Sequence, residues 1–535
     1  MMTRAPLLSH RWRTPTKDGE SLIVPSLSEL ADAVEYNRAQ AWPLDGWFAD
    51  SSPNVIRNQA RECLVKEASE FTRQYRDIDQ LPEPSAPLIL TGHQPELIHC
   101  GVWYKHFVLH HAAKNVKGIG IHLSIDHDVH RGSAIVIPSG SVDAPTTKSI
   151  PFDQTPHALP YEQSRVVDQS TWDTFGTRVS QALEPLVPQP LIKQFWPLVL
   201  ANDDRRPSEA IASARHQLEG KAGLQTLELP LSRICKQTPF AWFVALLLSD
   251  FERFFQTYND ALQAYRVEHR LRSQHHPVPD LMKRDQWLEL PLWTWNSNDP
   301  IRRRCYARRD GHRLLLSDAH ASEYSIEQRM GAASQKGVSQ LLQLQSQGVQ
   351  LRPRALTTTL FARWMLGDLF IHGIGGAVYD RVTDEIARRW WQCQAPIIGV
   401  ASATMQLPVK RPDVSSEDLK ELDRRLRQLE FHPELFLSEP NPDAEKWIAS
   451  KRHWIAQRLP PGTNLQRHQQ ITEANRALKK WTQPLKQNLL NERQSLESQI
   501  RKREILDSRE LPFCVFPDHQ MDVLLDRLRA DALSG

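Results

Sequence analysis

Leu88-Ile-Leu90, Thr91-Gly-His-Gln-Pro95, the apolar stretch Val102 to Ala113, Gly118-Ile-Gly-Ile-His-Leu-Ser-Ile125 and Asp126-His-Asp-Val-His130 decide the fold class. The first run is short, continuous and apolar, as in a strand buried on both faces. The Thr91–Pro95 stretch breaks it, and a helix over Val102–Ala113 follows. The second apolar run ends in a polar cluster. Strand, loop, helix and strand within about 40 residues form a βαβ unit, which implies an α/β fold with a parallel sheet.

Working outward, residues 1–85 read as an N-terminal helical region. Ser26–Arg38 and Asn54–Tyr75 carry apolar positions at helical spacing, and Ser26 with Glu29 has the spacing of a capping box. The Pro-rich Leu81–Pro87 ends that region. The core runs over 86–411, with inserted connecting segments. Within it Ala134–Ile137 predicts a strand, Thr238–Tyr265 one long helix, and Tyr306–Leu316 a hairpin turning at Asp310-Gly311. Phe361–Phe370 predicts an apolar helix, Ile371-His-Gly-Ile-Gly-Gly376 a Gly-rich turn, Ala377–Trp391 a helix and Pro396–Val400 a strand.

Residues 412–510 change character, and 511–535 form a C-terminal segment expected to pack back on the core. Glu417–Leu429, Ala444–Arg458 and Gln466–Leu506 are charged and helical. In the last, Ile471, Ala474, Leu478, Trp481 and Leu485 keep a coiled-coil spacing. The seam then shifts to Leu489, Leu496 and Ile500, and Pro484 predicts a kink at the shift. The pattern suits an antiparallel hairpin, a coiled coil joining a homodimer, or a helical subdomain packed on its own core.

Composition narrows the function classes. The chain has 535 residues, with 66 basic and 63 acidic, so its net charge of +3 gives no reason to expect a nucleic-acid partner. Mean hydropathy is −0.49, as in a globular protein. The most apolar run, Phe240–Leu248, is far short of the roughly 20 residues a membrane helix needs. Arg4, Arg11 and Arg13 flank no apolar signal-peptide core, so the expected compartment is the cytoplasm with no membrane partner. Six scattered cysteines suggest isolated thiols rather than a zinc or redox motif.

Three segments carry candidate chemistry. The first is Thr91–Gly101, at a strand's carboxyl end, where loop amides and a helix N-terminus face a crevice. Gly92 and Gly101 would permit close backbone approach; Gln94, His93 and His99 could bind charge or move a proton. His99-Cys-Gly101 also weakly resembles the start of the HIGH loop of class I nucleotidyltransferases. The second segment is Asp126–His130. On an extended strand Asp126, Asp128 and His130 would share one side, suited to a divalent metal, and a carboxylate could equally orient His127 as a base. The third is Ile371–Asp380. Gly373, Gly375 and Gly376 before a helix suit an anion cradle, with His372 in the turn and Tyr379 and Asp380 expected in the first helical turn. Arg354 and Arg363 could supply cations. Trp293, Trp295, Trp390 and Trp391 could stack on a base, although aromatic residues of a large protein are mostly core.

In order and spacing these blocks resemble the bacillithiol-synthesis cysteine-adding enzyme family (BshC, cysteine ligase). The matching residues are Thr91-Gly-His-Gln94 with Tyr104-Lys105, Ile125-Asp-His-Asp128, the Tyr306–Leu316 hairpin, Leu351-Arg-Pro-Arg354, the Phe370–Tyr379 turn and Pro396–Ala403. The likeness is clearest over Leu88–Val136 and Val349–Ala403. His93 stands where the family has Gln, Ile125 where it has Glu, and Cys100-Gly101-Val102 where it has Gly-Pro. The resemblance implies a Rossmann-like core with inserted segments, a dimerising coiled coil, and condensation of cysteine with a glucosaminyl-malate amine.

The leading expectation is therefore a ligase-like enzyme with small-molecule substrates. Amide formation in water needs an activated carboxyl group, so a nucleotide or acyl-phosphate step is left open; no metal is required. Gly92, Gly101 and the Gly373–Gly376 turn would surround an anion, and His93 or His127 would be the general base. Asp126 or Asp128 would orient that base or hold the ammonium. Lys105 and Arg354 would neutralise carboxylate or phosphate. Two other readings stand beside it: a metal-dependent hydrolase using Asp126, Asp128 and His130, and a non-catalytic dimer with a ligand-sensing core.

Overall fold

The computed structural model describes residues 12–40, 44–78, 83, 85–130, 132–154, 159–202, 206–273, 275–311, 313–320, 322–439, 441–457 and 464–534. Arg4 and Arg11, three residues of the Pro-rich stretch (Leu81, Pro82, Pro84) and Arg458 lie outside them. The chain divides into two compact units. One comprises 1–137, 148–406 and 509–535; the other comprises 138–147 and 407–508.

The larger unit is mixed α/β around a six-stranded sheet. Its order is Ser21–Val24, Gly399–Ala403, Leu369–His372, Leu88–His93, Ile119–Ser124, Thr226–Pro230. The last five strands run parallel, and Ser21–Val24 adds an antiparallel edge. The N-terminal region thus supplies a strand as well as its two helices, Leu27–Ala39 and Pro53–Thr72. From Leu88–His93 the chain builds outward to Thr226–Pro230, then returns to lay Leu369–His372 on the opposite flank. The strand order therefore reverses between Leu88–His93 and Leu369–His372. A crevice opens at the carboxyl ends of strands at such a reversal.

Both sheet faces are covered, which explains the unbroken apolar run at Leu88, Ile89 and Leu90, all fully buried. Helix Cys100–Asn115 packs on Leu88–His93 and Ile119–Ser124. Gly120 lets it approach: a Cβ there would lie 3.2 Å from Leu109 and 3.3 Å from Ala113. Helix Pro53–Thr72 lies against Thr226–Pro230. Its Leu64 and Phe71 join Leu90, Ile121, Trp242 and Phe361 in the main apolar core.

A second sheet is antiparallel, in the order Glu323–Ile326, Arg313–Ser317, Asp299–Asp310, Trp287–Asn296, Val349–Pro353. It contains the expected hairpin at Asp310-Gly311.

Two helix expectations are corrected. Thr238–Tyr265 is not one helix but two, Thr238–Ser249 and Phe251–Glu268. Asp250 between them takes a non-helical backbone (φ −146°, ψ 42°), and its carboxylate pairs with Arg253 at 2.7 Å. Phe361–Phe370 is also divided. Helix Ala355–Phe361 runs into a wide turn over Ala362–Leu366, Gly367 turns extended, and Phe370 pairs with Leu90 in the sheet. All six cysteines are free thiols. Among the described residues no helix is long and apolar enough to cross a membrane.

The smaller unit holds helices Ser416–Phe431, Pro442–Ala456 and Asn464–Leu506. The last continues through Pro484 as one helix. Its seam is covered within the unit: Leu489, Leu485 and Leu496 meet Leu422 and Leu429, while Leu478 and Trp481 meet Ala444 and Ile448. Those positions are spent on the chain's own helices.

Candidate functional site

Parallel pairing of Leu369–His372 with Leu88–His93, Ile371 opposite Thr91, places the first and third candidate segments at one crevice. Lys105 lies between them. It projects from helix Cys100–Asn115 and donates its Nζ to the Gly92 carbonyl at 3.0 Å. A Cβ on Gly373 would come within 3.9 Å of the Lys105 Cδ, so the lysine stem reaches the second loop. Burial and the charge of Arg215 push its ammonium down to about 8.

Gly373 is the N-cap of helix Ile374–Trp390 and provides no side-chain cap. Gly375 and Gly376 are exposed in the first turn, and a Cβ at Gly375 would meet nothing within 4 Å. None of the three has a positive φ, so their use is small size rather than backbone freedom. The result is a helix N-terminus with open amides beside a cation, an arrangement suited to an anion.

His93 ends its strand half-buried. Its Nδ1 lies 3.0 Å from the Gln94 carbonyl, which assigns the ring proton to Nδ1 and leaves Nε2 as an acceptor. Burial, reinforced by the Lys105 charge, lowers the imidazole to about 3, so it is neutral at pH 7. Gln94 donates to Asp128 Oδ2 at 3.1 Å, tying the first segment to the second. Arg302 donates to Asp128 Oδ1 at 2.8 Å. Burial would raise the Asp128 carboxyl, but Arg302 and Gln94 outweigh it and hold it low.

The crevice thus gathers Gly92, His93, Gln94, Lys105, Asp128 and Gly373–Gly376. Other expected site residues have different tasks. The second segment is a turn, because the strand stops at Ser124, and its side chains do not share a side. Asp126 accepts from the Ser232 amide at 2.8 Å and from the Ser232 hydroxyl. Burial and Glu162 raise its carboxyl to about 7. His130 Nε2 lies 2.6 Å from Ser164 Oγ. Among the described residues no group of His, Cys, Asp or Glu is arranged to hold a metal. His127 is buried with Nδ1 unpartnered, and burial lowers its imidazole to about 4.

His99 is a helix cap: its Nδ1 accepts from the Gly101 amide at 3.1 Å. Gly101 admits protein rather than ligand, since a Cβ there would lie 2.7 Å from the Ala403 carbonyl oxygen. Gly92 is similarly confined, with a Cβ there 3.1 Å from the Leu123 carbonyl oxygen. Tyr104 donates to Asp531 at 2.5 Å. Arg354 is committed to Glu289 and to the face of Trp293, 4.8 Å from the ring centre. His372 Nε2 lies 3.0 Å from Asp380 Oδ2, and Asp380 also pairs with buried Arg363. Because the helix starts at Ile374, Asp380 falls in its second turn and is buried. Tyr379 meets His276 edge-on at 5.4 Å.

Sequence reasoning missed Arg302. Its guanidinium sits 4.2 Å from the Trp293 ring centre while holding Asp128. The signal was faint: Arg304 is the register partner of Trp293, and Arg302 is its diagonal neighbour two residues away. No protein-family model matches the chain, and no curated protein matches it.

Proposed function

We propose that the protein is a ligase-like enzyme that condenses cysteine, or another amino acid, with an amino-sugar amine such as glucosaminyl-malate. The observation that carries this reading is the convergence of the His93 turn, Lys105 and the Gly373–Gly376 helix start at the strand-order reversal. The strand order also supports a Rossmann-like core, in keeping with the resemblance of Thr91–Lys105, Ile125–Asp128 and Phe370–Tyr379 to the cysteine-adding family.

In this reading the Gly375 and Gly376 amides and Lys105 hold an acidic group. The free amine attacks an acyl carbon activated as an acyl phosphate or acyl nucleotide, the C–N bond forms as the phosphate or nucleotide leaves, and His93 Nε2 takes the amine proton. Asp128, already paired with Arg302, holds Gln94 and so fixes the turn that follows His93. His93 is chosen over His127 for its orientation rather than its basicity, because its Nδ1–H is anchored on the Gln94 carbonyl while His127 Nδ1 is unpartnered. Homodimerisation through the helical unit belongs to the same family reading, and light scattering at twice the chain mass checks it. The hydrolase reading is disfavoured, because Asp126, Asp128 and His130 are held by three different partners.

The test is incubation with L-cysteine, glucosaminyl-malate and ATP, followed by mass spectrometry. The expected product is the amide, formed about 100-fold more slowly with Lys105→Met. No product, together with no calorimetric binding of either substrate, contradicts the proposal.

A further inference from the structure

We infer that a second cleft, beside the edge strand Thr226–Pro230, binds a phosphate-bearing small molecule. The cleft encloses about 520 Å3. Arg165, Arg206, Arg233 and Lys236 line it, together with Glu67 and Glu209. Among the described residues none of the four cations is in an ion pair.

Arg206 and Arg233 are half-buried, and Arg165 and Lys236 are exposed at the rim. Arg206 is the N-cap of helix Pro207–Lys221, and because it and Glu209 of the first turn both line the cleft, the start of that helix lies there. The Arg233 guanidinium lies over the Phe71 ring, 4.8 Å from its centre, which limits its freedom. Partial burial lowers the Lys236 ammonium, with Arg352 and Arg206 lowering it further and Glu162 and Asp126 opposing them. On the acidic side, Glu67 already accepts from Gln237 at 2.9 Å. Glu209 sits in the first turn of helix Pro207–Lys221. Among the described lining residues four cations face two carboxylates, and arginine forks match phosphate oxygens in pairs.

The cleft is separate from the crevice holding Lys105, although Ser232 on its lining also holds Asp126. The inference does not rest on the ligase reading.

The experiment is calorimetric titration of the full chain with ribose 5-phosphate and with inorganic phosphate at constant ionic strength, with ribose as the uncharged control. One saturable site for phosphate is expected, with no heat from ribose. The double variant Arg206→Gln/Lys236→Gln should weaken it at least tenfold with the ligand-free Tm unchanged, since neither side chain is in an ion pair among the described residues. Lys105→Met should leave phosphate affinity unchanged. Absence of saturable binding to either phosphate overturns the inference. So does equal affinity in the double variant, or loss in Lys105→Met alone, which would place the anion in the crevice.

Discussion

Lys105 and His106 are adjacent on one helix, yet they belong to opposite kinds of polar environment. His106 enters a layer in which buried charges are matched against each other. Its Nδ1 lies 2.7 Å from Glu219. Arg215 joins Glu219 at 2.9 Å and forks onto Glu228 at 2.6 and 2.7 Å. Trp103 donates to Glu219 at 2.9 Å, and His122 meets Glu228 at 3.0 Å. Of these groups, the Nε2 atoms of His106 and His122 are the ones left without partners. Burial would lower the Arg215 charge, but the two glutamates outweigh it. Burial would raise Glu228, but Arg215 and His122 hold it at about 2. Lys105, by contrast, has one protein acceptor, the Gly92 carbonyl, and its stem lies against Gly373, where a helix starts without a side-chain cap. Buried charge alone does not mark a site. A charge whose bonding capacity the protein leaves unspent does.

Five outcomes would break or sharpen that contrast. The largest belongs to the matched layer. Arg215→Ala leaves Glu219 and Glu228 buried without their cation and should cost about 3–5 kcal/mol. Denaturant unfolding reads this, and a loss below about 1 kcal/mol would show the layer to be incidental.

Next is Asp126, whose folded pKa of about 7 exceeds its ordinary value of 3.8. The folded state binds the extra proton, so this group's stabilisation is full below pH 3.8 and is lost as pH rises toward and past 7. A shift of this size corresponds to at most about 4 kcal/mol. Asp126→Asn should flatten the Tm profile across that window; an unchanged slope would remove Asp126 as its source.

In the crevice, Lys105→Met should preserve Tm and lower turnover about 100-fold, equivalent to about 2.7 kcal/mol. In the wild type, binding of an acidic ligand should weaken as pH passes about 8, where the Lys105 charge is lost. A binding curve that stays flat through that pH would contradict the role. The smallest effect is His99→Ala, which removes a helix cap and should cost about 1 kcal/mol without a specific loss of turnover.

Much of the parallel unit was legible because local pattern and tertiary role agree there. Leu88–Leu90 looks buried on both faces and is, but the expected break at Thr91 comes late: Thr91, Gly92 and His93 continue the strand, and the turn begins at Gln94. The Asp250 break was not legible: an acidic residue after an apolar run is compatible with helix, and its pairing with Arg253 and Trp390 is seen only in three dimensions. At the site, His93 and Lys105 could be chosen by type and position. His99, Tyr104, Asp126 and Arg354 could be chosen too; the His99 cap on Gly101 is local, but nothing in the chain order reveals that Asp531, Ser232 and Glu289 occupy the other three.

The most direct test is a crystal structure grown with saturating glucosaminyl-malate. The account predicts an acidic group of the ligand within hydrogen-bonding reach of Lys105 Nζ and the Gly375 and Gly376 amides. Ligand density elsewhere, or a crevice holding only water, would contradict it.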